Sequence, residues 1–282
     1  MAKRRYGFDE SKLARFLSEK RGQGSGPQYR PWLTIQDVSS SGRSSRIFSQ
    51  KTGREHHCLS DIETALFLVL DWSNAVTDIR EQFPLDRDET RRIAADMGVK
   101  HPADTQSRVD IVMTTDFVVN IRTGDNTKEI ARSVKPASEL DKPRTLEKQE
   151  IERRYWLAKG VDWGLVTELD LPDQHIKNLR WLHEMQSLER MQEPYSGYWD
   201  DRCNKFLACL PRSAGMSVKQ FIRLLDSTHG FATGEALTVL RHLAANKRIN
   251  IDLAAKFDMQ AQIDSFSVAT SGQAVTLVRK VA

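Results

Sequence analysis

Asp116 and Lys135 are the residues of this sequence best suited to act together in a reaction, because they fall on the two strands of one predicted β-hairpin. An alternating stretch followed by a Gly-Asp-Asn turn predicts that hairpin within residues 109–136. Ser133 lies two residues before Lys135 and so on the same face of its strand. Phosphodiester hydrolysis needs oxygen ligands that hold Mg²⁺ and a cation or base near the attacking water. The pattern therefore predicts a metal-dependent site that cleaves phosphodiesters.

The spacing of these residues fits more than one interpretation. An acid followed 17 residues later by a polar residue, two positions before a lysine, is the layout of metal-dependent nucleases of the restriction-endonuclease type. An exposed hairpin whose Asp and Lys are simply solvated shows the same pattern. Asp110 is a second candidate ligand, and it shares a strand face with Asp116 only if the strand is continuous. The hairpin alone leaves these alternatives open.

Glu63 is a third candidate, at the start of a predicted helix that Ser60 opens. It lies beside the apolar stripe of that helix, where an unpaired carboxylate is costly unless a partner such as a metal ion compensates it. Ser60 and Glu63 also match a capping box, in which Glu63 would accept a hydrogen bond from the Ser60 backbone N–H. Both a metal ligand and a helix cap fit the local sequence.

Longer segments resemble a known family. They are, in chain order, RGQGSGPQYRPWLTIQDVSSSGRSSRIFS, HHCLSDIETALFL, DIREQFPL, TTDFVV, VKPA and RTLEKQEIERRYW, and they are spread across residues 21–167. They are similar to TnsA, the endonuclease subunit of heteromeric cut-and-paste DNA transposons of the TnsABC type. The order and spacing of these segments are far more specific than one acid and one lysine.

The resemblance implies a catalytic domain that nicks DNA at the 5′ ends of a transposon, while a separate transposase subunit cuts and joins the 3′ ends. It implies catalytic roles for Glu63, Asp116 and Lys135, with the two acids as ligands of Mg²⁺, for which Mn²⁺ can substitute. The family's glutamine two residues before the lysine is Ser133 here, whose shorter side chain would contact a metal through water or not at all. The Val134 backbone carbonyl is a further candidate ligand.

Three charged residues outside this set are also candidates for a role. Glu152 matches an acid that the family places near its active site, which implies that it supports the metal ligands from behind. Arg43 and Arg46 lie at a serine-rich turn and could contact the DNA backbone, although a plain surface loop has the same composition. The partners implied by the resemblance are double-stranded DNA at transposon ends, a DDE-type transposase subunit similar to TnsB and an AAA+ ATPase regulator similar to TnsC.

Composition sets the broad class of protein. The chain has 282 residues, of which 39% are hydrophobic, enough for two domains with separate cores. It contains no run of about 18 apolar residues and no apolar secretion signal, so no membrane association is expected. Three cysteines without a CxxC pair favour a reducing compartment. The expected location is the bacterial cytoplasm, with association to the nucleoid when the protein is bound to DNA.

Positive charge is concentrated near the N-terminus. Residues 1–55 contain twelve Lys or Arg and five Asp or Glu, a net charge of +7, whereas the whole chain carries +4. Such a surplus suits contact with nucleic-acid phosphates, and it equally suits a solvated tail.

The predicted elements divide the chain into two domains. Residues 1–170, with a basic segment at 1–30 and short strands at 32–35 and 45–48, follow the order of an α/β restriction-endonuclease-like catalytic domain. Residues 171–282 predict a mostly helical domain that docks DNA or protein, in which two helices and two strands resemble a winged helix. The second of these helices exposes few cations, which favours docking to protein over reading bases.

Three functions follow from the sequence. The leading one is a Mg²⁺-dependent endonuclease acting at the 5′ ends of a transposon as one subunit of a heteromeric transposase. A free-standing nuclease of the restriction or repair type would use the same chemistry. A catalytically weakened adaptor that binds DNA or protein is suggested by Ser133.

Overall fold

The chain divides into two compact units between Leu171 and Pro172. The computed structural model describes residues 7–38 and 42–269. The first six residues of the basic N-terminal segment and the last thirteen of the predicted second domain therefore lie outside the described residues. The first unit is a mixed α/β structure, and the second is mostly helical.

A four-stranded sheet organises the first unit. The elements of this unit are, in chain order, α1 (Glu10–Ser18), β1 (Ser45–Ser49), β2 (Arg54–Cys58), α2 (Asp61–Trp72), β3 (Val76–Pro84), α3 (Arg87–Asp96), β4 (Thr114–Thr123), β5 (Asn126–Val134), α4 (Pro143–Ala158) and β6 (Asp162–Val166). The sheet has the order β3-β4-β5-β6, in which only β5 and β6 are parallel. A parallel neighbour requires a crossover connection, which α4 provides.

Strands β4 and β5 form the predicted hairpin, which is confirmed. Gly124 in the connecting turn has a φ of +62°, a value that glycine adopts without strain. The β4–β5 register runs from Thr123 opposite Asn126 to Phe117 opposite Arg132 and ends there, whereas β4 stays paired with β3 beyond that point. The two strands of the hairpin therefore separate at Asp116.

Helices α3 and α4 pack on the sheet through one apolar core. Ile151 and Tyr155 lie one turn apart on α4, so both face the strands. Fully burying side chains of this size stabilises the fold by roughly 1.5–3 kcal/mol each. The buried members of this core are Leu85, Ile93, Ala94, Met113, Val118, Ala131, Ile151, Tyr155 and Trp156. This packing fixes α4, and with it Glu152, beside the sheet.

The prediction of a strand at 32–35 is wrong. Trp32 is buried in a loop instead: its N–H donates to the Gln82 carbonyl at 3.1 Å, and its ring meets Phe16 edge-on at a centroid distance of 5.1 Å. The strand predicted at 45–48 is β1, and its partner is β2. The sequence gives little sign of β2, because Arg54, a histidine and other polar residues occupy it and several of them are buried.

The second unit contains four helices among its described residues: α5 (Asp173–His183), α6 (Tyr198–Cys209), α7 (Val218–Thr228) and α8 (Glu235–Ala245). Helices α7 and α8 confirm the predicted helix pair. The two predicted strands that follow are reduced to β7 (Ile249–Asn250) and β8 (Ser267–Val268), a ribbon of two residue pairs that falls short of a full wing. Within the described ranges, no helix has both the length and the apolar character needed to cross a bilayer.

Arg241 on α8 is engaged inside the second unit. Its Nε donates to the Trp181 carbonyl at 3.0 Å, and its Nη2 pairs with Glu184 at 2.5 Å. The guanidinium also lies over the Trp181 ring, with Cζ 4.9 Å from the centroid. These contacts join α5 to α8. They also engage the Arg241 guanidinium, which a recognition helix would present to DNA.

Candidate active site

Glu63 lies in the first turn of α2, where two groups preceding the helix bind its carboxylate. The Leu59 N–H donates to Oε2 at 2.9 Å, and the Ser60 hydroxyl donates to Oε1 at 3.0 Å. Ser60 Oγ in turn accepts from the Glu63 N–H at 3.1 Å. Glu63 is therefore part of a helix cap, with the Leu59 N–H in place of the predicted Ser60 N–H. Its side chain also reaches the strands, through the contact with Gln82 described below.

Asp116 receives four hydrogen bonds where β4 and β5 separate. Its Oδ2 accepts from the Val134 N–H at 2.6 Å and from Lys135 Nζ at 3.2 Å. The Ser133 hydroxyl donates to the same oxygen at 3.4 Å. Oδ1 accepts from Gln82 Nε2 at 3.2 Å. Residues at the end of β5 therefore bind the Asp116 carboxylate on β4.

The Lys135 ammonium lies between Asp116 and the backbone. It donates to the Val134 carbonyl oxygen at 2.7 Å, so that carbonyl and Asp116 Oδ2 face the same cation. Burial lowers the pKa of Lys135, but Asp116, Glu152 and Glu63 together outweigh burial and raise the pKa above its ordinary value. The lysine therefore stays charged at neutral pH.

Glu152 is buried behind this group of residues. Its Oε1 accepts from the Thr115 hydroxyl at 2.8 Å and from the Trp163 indole N–H at 3.1 Å. The Trp156 indole N–H donates to Thr115 Oγ1 at 2.7 Å. Because Thr115 precedes Asp116 in β4, this network supports the strand segment that carries Asp116.

Gln82 is a site residue that the sequence patterns do not single out. Its Nε2 donates to Asp116 Oδ1 at 3.2 Å and to Glu63 Oε2 at 3.4 Å, while its Oε1 accepts from the Thr114 hydroxyl at 3.0 Å. One buried amide therefore links two of the three predicted catalytic residues. The signal in the sequence is weak: Glu81-Gln82 is a polar pair inside a strand, so both faces of the sheet must offer polar partners.

Lys148 is a second residue without a sequence signal, because a lysine on a charged helix is usually solvated. Its pKa is lowered, first by burial and then by the positive charges of Lys135 and Arg144. Repulsion of this kind requires the cations to be near one another. Helix α4 therefore brings further positive charge towards Lys135.

Three acids, Asp116, Glu152 and Glu63, lie close enough to Lys135 to influence its charge. Burial and then the charge of Asp116 raise the pKa of Glu63 to about 7. The same two causes raise the pKa of Glu152 to about 7. Perturbed acids of this kind, grouped around one lysine, are typical of functional sites. A divalent cation would relieve the repulsion between Glu63 and Asp116.

The donor atoms of the site suit Mg²⁺. The carboxylates of Glu63 and Asp116, the Val134 carbonyl and the Ser133 hydroxyl are all hard oxygen donors, and Mg²⁺ commonly takes one or two carboxylates and keeps several waters. Zinc prefers a set of His, Cys and carboxylate ligands. In the part of the chain that the structure describes, no group of three or more His, Cys, Asp or Glu is arranged to hold a metal.

The remaining candidates are paired elsewhere. Asp110 accepts from Arg91 Nε at 2.7 Å, so it belongs to an ion pair with α3. Arg43 pairs with Asp61, the first residue of α2, at 3.2 Å, and both side chains are exposed. Arg46 on β1 pairs with a glutamate of β2 at 3.6 Å. Arg43 therefore lies near the helix that carries a site acid.

Comparison with known proteins identifies the family. Residues 73–168 match the family described as TnsA-like endonuclease N terminal, and residues 170–253 match the one described as TnsA endonuclease C terminal. The chain is also 41% identical over 257 residues to Transposon Tn7 transposition protein TnsA of Escherichia coli, across 91% of each chain. The chain belongs to the TnsA family of transposition endonucleases.

Within this TnsA-family chain, the site draws on both the matched segment and the residues before it. Asp116, Ser133 and Lys135 lie inside the N-terminal match, as does Gln82, whereas Glu63 precedes it. Ser133 therefore lies inside the segment that matches the N-terminal family model.

Proposed function

We propose that this TnsA-family protein is a Mg²⁺-dependent DNA endonuclease that nicks the 5′ ends of a transposon during cut-and-paste transposition. The observation that carries the proposal is the contact of Asp116 with Lys135 on one side and, through Gln82, with Glu63 on the other. The similarity to a transposition protein over 91% of both chains supports the biological setting.

Each residue has a distinct chemical task in this proposal. A bound Mg²⁺ would supply Lewis-acid stabilisation of the phosphate and acidify an attacking water. Glu63 and Asp116 would hold the ion, with the Val134 carbonyl and, through water, Ser133 as further oxygen donors. Lys135 keeps a positive charge beside Asp116, where it can offset the negative charge that develops on the phosphate.

Cations near the site supply sequence-independent contacts with DNA. Lys148 and Arg144 lie on α4 near Lys135. Arg43 and Asp61 are 70% and 55% exposed, so their ion pair contributes little stability and Arg43 can exchange its partner for a phosphate. Binding should weaken steeply as salt rises, because each phosphate contact releases a counterion.

The second unit is assigned to protein docking. Its helix pair α7–α8 supports a winged-helix-like module, yet Arg241 is already held by Trp181 and Glu184. That engagement favours a protein partner, for which an AAA+ ATPase regulator similar to TnsC is the candidate. A DDE-type transposase similar to TnsB would process the 3′ strands of the same ends.

Strand-specific cleavage of a labelled transposon-end duplex tests the proposal. With Mg²⁺, the transposase and the ATPase present, the wild-type protein should nick the 5′ strand, and chelation of the metal should stop it. Lys135→Ala should not cut at any metal concentration, whereas Lys159→Ala serves as the matched control and should cut normally, since Lys159 belongs to the same unit and pairs with Glu89 at 3.0 Å. An intact 5′ strand while the 3′ strand is processed would contradict the proposal.

The same assay separates the alternatives. A free-standing nuclease would cut unrelated duplexes without either partner. An adaptor would support 3′-strand processing and never cut the 5′ strand in either Mg²⁺ or Mn²⁺.

The division of labour between the units has its own test. A fragment ending at Leu171 should retain metal binding, and a fragment beginning at Pro172 should capture the ATPase. Equal capture of the ATPase by the first fragment would refute this assignment.

A further inference from the structure

We propose that Gln82 is a positioning residue that holds Glu63 and Asp116 in the arrangement needed to bind the cation. The inference rests on the proposed metal-dependent function and adds a group to its site. The carboxamide nitrogen lies 3.2 Å from Asp116 Oδ1 and 3.4 Å from Glu63 Oε2, so a single group contacts one acid on β4 and one on α2.

The orientation of the carboxamide is set at its other end. The Thr114 hydroxyl donates to Gln82 Oε1 at 3.0 Å, which directs the NH₂ group towards the two acids. An amide suits this position because it donates two hydrogen bonds without carrying charge. It reduces the repulsion between the carboxylates, and unlike a lysine it does not oppose an arriving cation electrostatically.

The backbone at Gln82 indicates that this position is specifically held. Its φ is +49°, inside a strand, and the residue is 2% exposed. Among the described residues it is the only buried non-glycine with a positive φ; the others are Lys20, Arg108 and Lys247. Such strained conformations persist where the surroundings enforce them, and they cluster at functional sites.

A loop near the N-terminus enforces this conformation. The Trp32 N–H donates to the Gln82 carbonyl at 3.1 Å, and the Tyr29 hydroxyl donates to the preceding Glu81 carbonyl at 3.0 Å. The consecutive carbonyls of Glu81 and Gln82 are thus both bound by one loop. The loop fixes the backbone, the backbone aims the side chain, and the side chain links the two acids.

A purely structural role for Gln82 makes a different prediction from a positioning role. If the amide only satisfied buried groups, its loss would lower the melting temperature and leave metal affinity unchanged in the folded protein. If it positions the ligands, its loss should weaken metal affinity by about 10-fold to 100-fold, the range typical of residues that orient metal ligands.

Two variants with different structural liabilities test the proposal. Gln82→Met keeps the length of the side chain and removes the amide. Gln82→Asn tolerates the positive φ and keeps an amide, but is one methylene too short to reach both acids. Thr90→Val is the matched control, since the Thr90 hydroxyl is buried in the same unit and contacts the backbone carbonyls of Asp86 and Arg87 and the His101 ring instead.

The measurement is Mg²⁺ binding by calorimetry on the full-length protein, with melting recorded without metal. The affinity of both Gln82 variants for Mg²⁺ should be lower than that of the wild type by a factor of about 10 or more. Thr90→Val should bind Mg²⁺ like the wild type. In the nicking assay with partners, the Mg²⁺ concentration for half-maximal rate should rise by a similar factor while the rate at saturating Mg²⁺ stays near that of the wild type.

Wild-type Mg²⁺ affinity in both Gln82 variants would overturn the inference, even if their melting temperatures fell. The proposed function fails through a different result, namely no 5′-strand nicking by the wild type at saturating Mg²⁺. Because calorimetry needs no cleavage, the two failures can be told apart.

Discussion

Two groups of buried acids lie in the first unit of this protein and differ in how the fold compensates them. Glu81 is fully buried, yet Arg54 binds both of its oxygens, at 2.8 and 2.6 Å, and His56 Nδ1 lies 2.8 Å from one of them. Burial alone would raise the pKa of Glu81, but the bonds to Arg54 and His56 outweigh it and lower the pKa to about 2.

The acids of the candidate site show the opposite behaviour at similar burial. Burial and the charge of Asp116 raise the pKa of both Glu63 and Glu152 to about 7. The difference teaches that burial does not by itself decide how an acid titrates; the balance of neighbouring cations does. Glu81 is compensated by cationic and hydrogen-bonding partners within the protein, whereas Glu63 and Asp116 repel each other, a repulsion that a bound cation would relieve.

The largest effect is expected from removing the acids of the candidate site. Asp116→Ala and Glu63→Ala should each lower 5′-strand nicking by at least about 10³-fold, since each would remove a proposed oxygen ligand of the ion. Glu63→Ala should also cost about 1 kcal/mol of stability, because Glu63 contributes to a helix cap. Single-turnover nicking and urea denaturation measure both effects. Normal nicking by either variant would remove that residue from the site.

The next largest effect is expected from removing the arginine that binds Glu81. Arg54→Met should lower the free energy of unfolding by about 3–5 kcal/mol, because it leaves Glu81 buried without its main partner. In the wild type, the stability from Glu81 is present above its ordinary pKa of 4.5 and is lost as pH falls towards 2. Urea denaturation at several pH values should show this acid dependence flattened in the variant. A variant as stable as the wild type would mean that the ion pair is dispensable.

A third prediction contrasts the two groups by pH. The raised pKa values of Glu63 and Glu152 mean that the folded protein binds extra protons between about pH 4.5 and 7, so stability from these acids falls as pH rises through that window. Mg²⁺ should reverse the loss, by about 2.7 kcal/mol at a hundredfold excess over its Kd. Melting with and without Mg²⁺ should therefore show a larger metal effect at pH 8 than at pH 5, and none in Asp116→Asn. An equal metal effect at both pH values would contradict the coupling of metal binding to the ionisation of these acids.

The smallest expected effect concerns Ser133. Its hydroxyl reaches Asp116 at 3.4 Å, and in the proposed site a water would complete the metal shell beside this short side chain. Ser133→Gln should lower the Mg²⁺ concentration for half-maximal nicking by up to about 10-fold, and the wild type should work better in Mn²⁺. Metal titrations of nicking by both proteins measure this. A wild type that stays inert in both metals while Ser133→Gln cuts would establish the adaptor function.

Local sequence was sufficient to predict features that depend on neighbouring residues, such as strand alternation, a hairpin turn and the start of a helix. Alternation and the Gly124 turn predict the β4–β5 hairpin, and Ser60 predicts the start of α2, because strand period and helix capping depend on neighbours within a few residues. The placement of an acid and a lysine on one predicted hairpin likewise singled out Asp116 and Lys135 as a pair. The resemblance to a family, rather than any spacing, singled out Glu152.

Contacts between distant segments were decided only by the tertiary structure. Nothing in the local sequence distinguishes Asp110 from Asp116. In the structure Asp110 pairs with Arg91, whereas Asp116 accepts a hydrogen bond from the end of β5. The link from Gln82 to Asp116 joins residues 34 positions apart, and it depends on a positive φ that glutamine does not favour by itself. Arg54 looks like a surface cation in the sequence, and only the burial of Glu81 beneath it makes β2 a strand with a polar interior. Sequence periodicity reports which face a residue occupies, whereas the partner it meets there is set by how the separate elements pack.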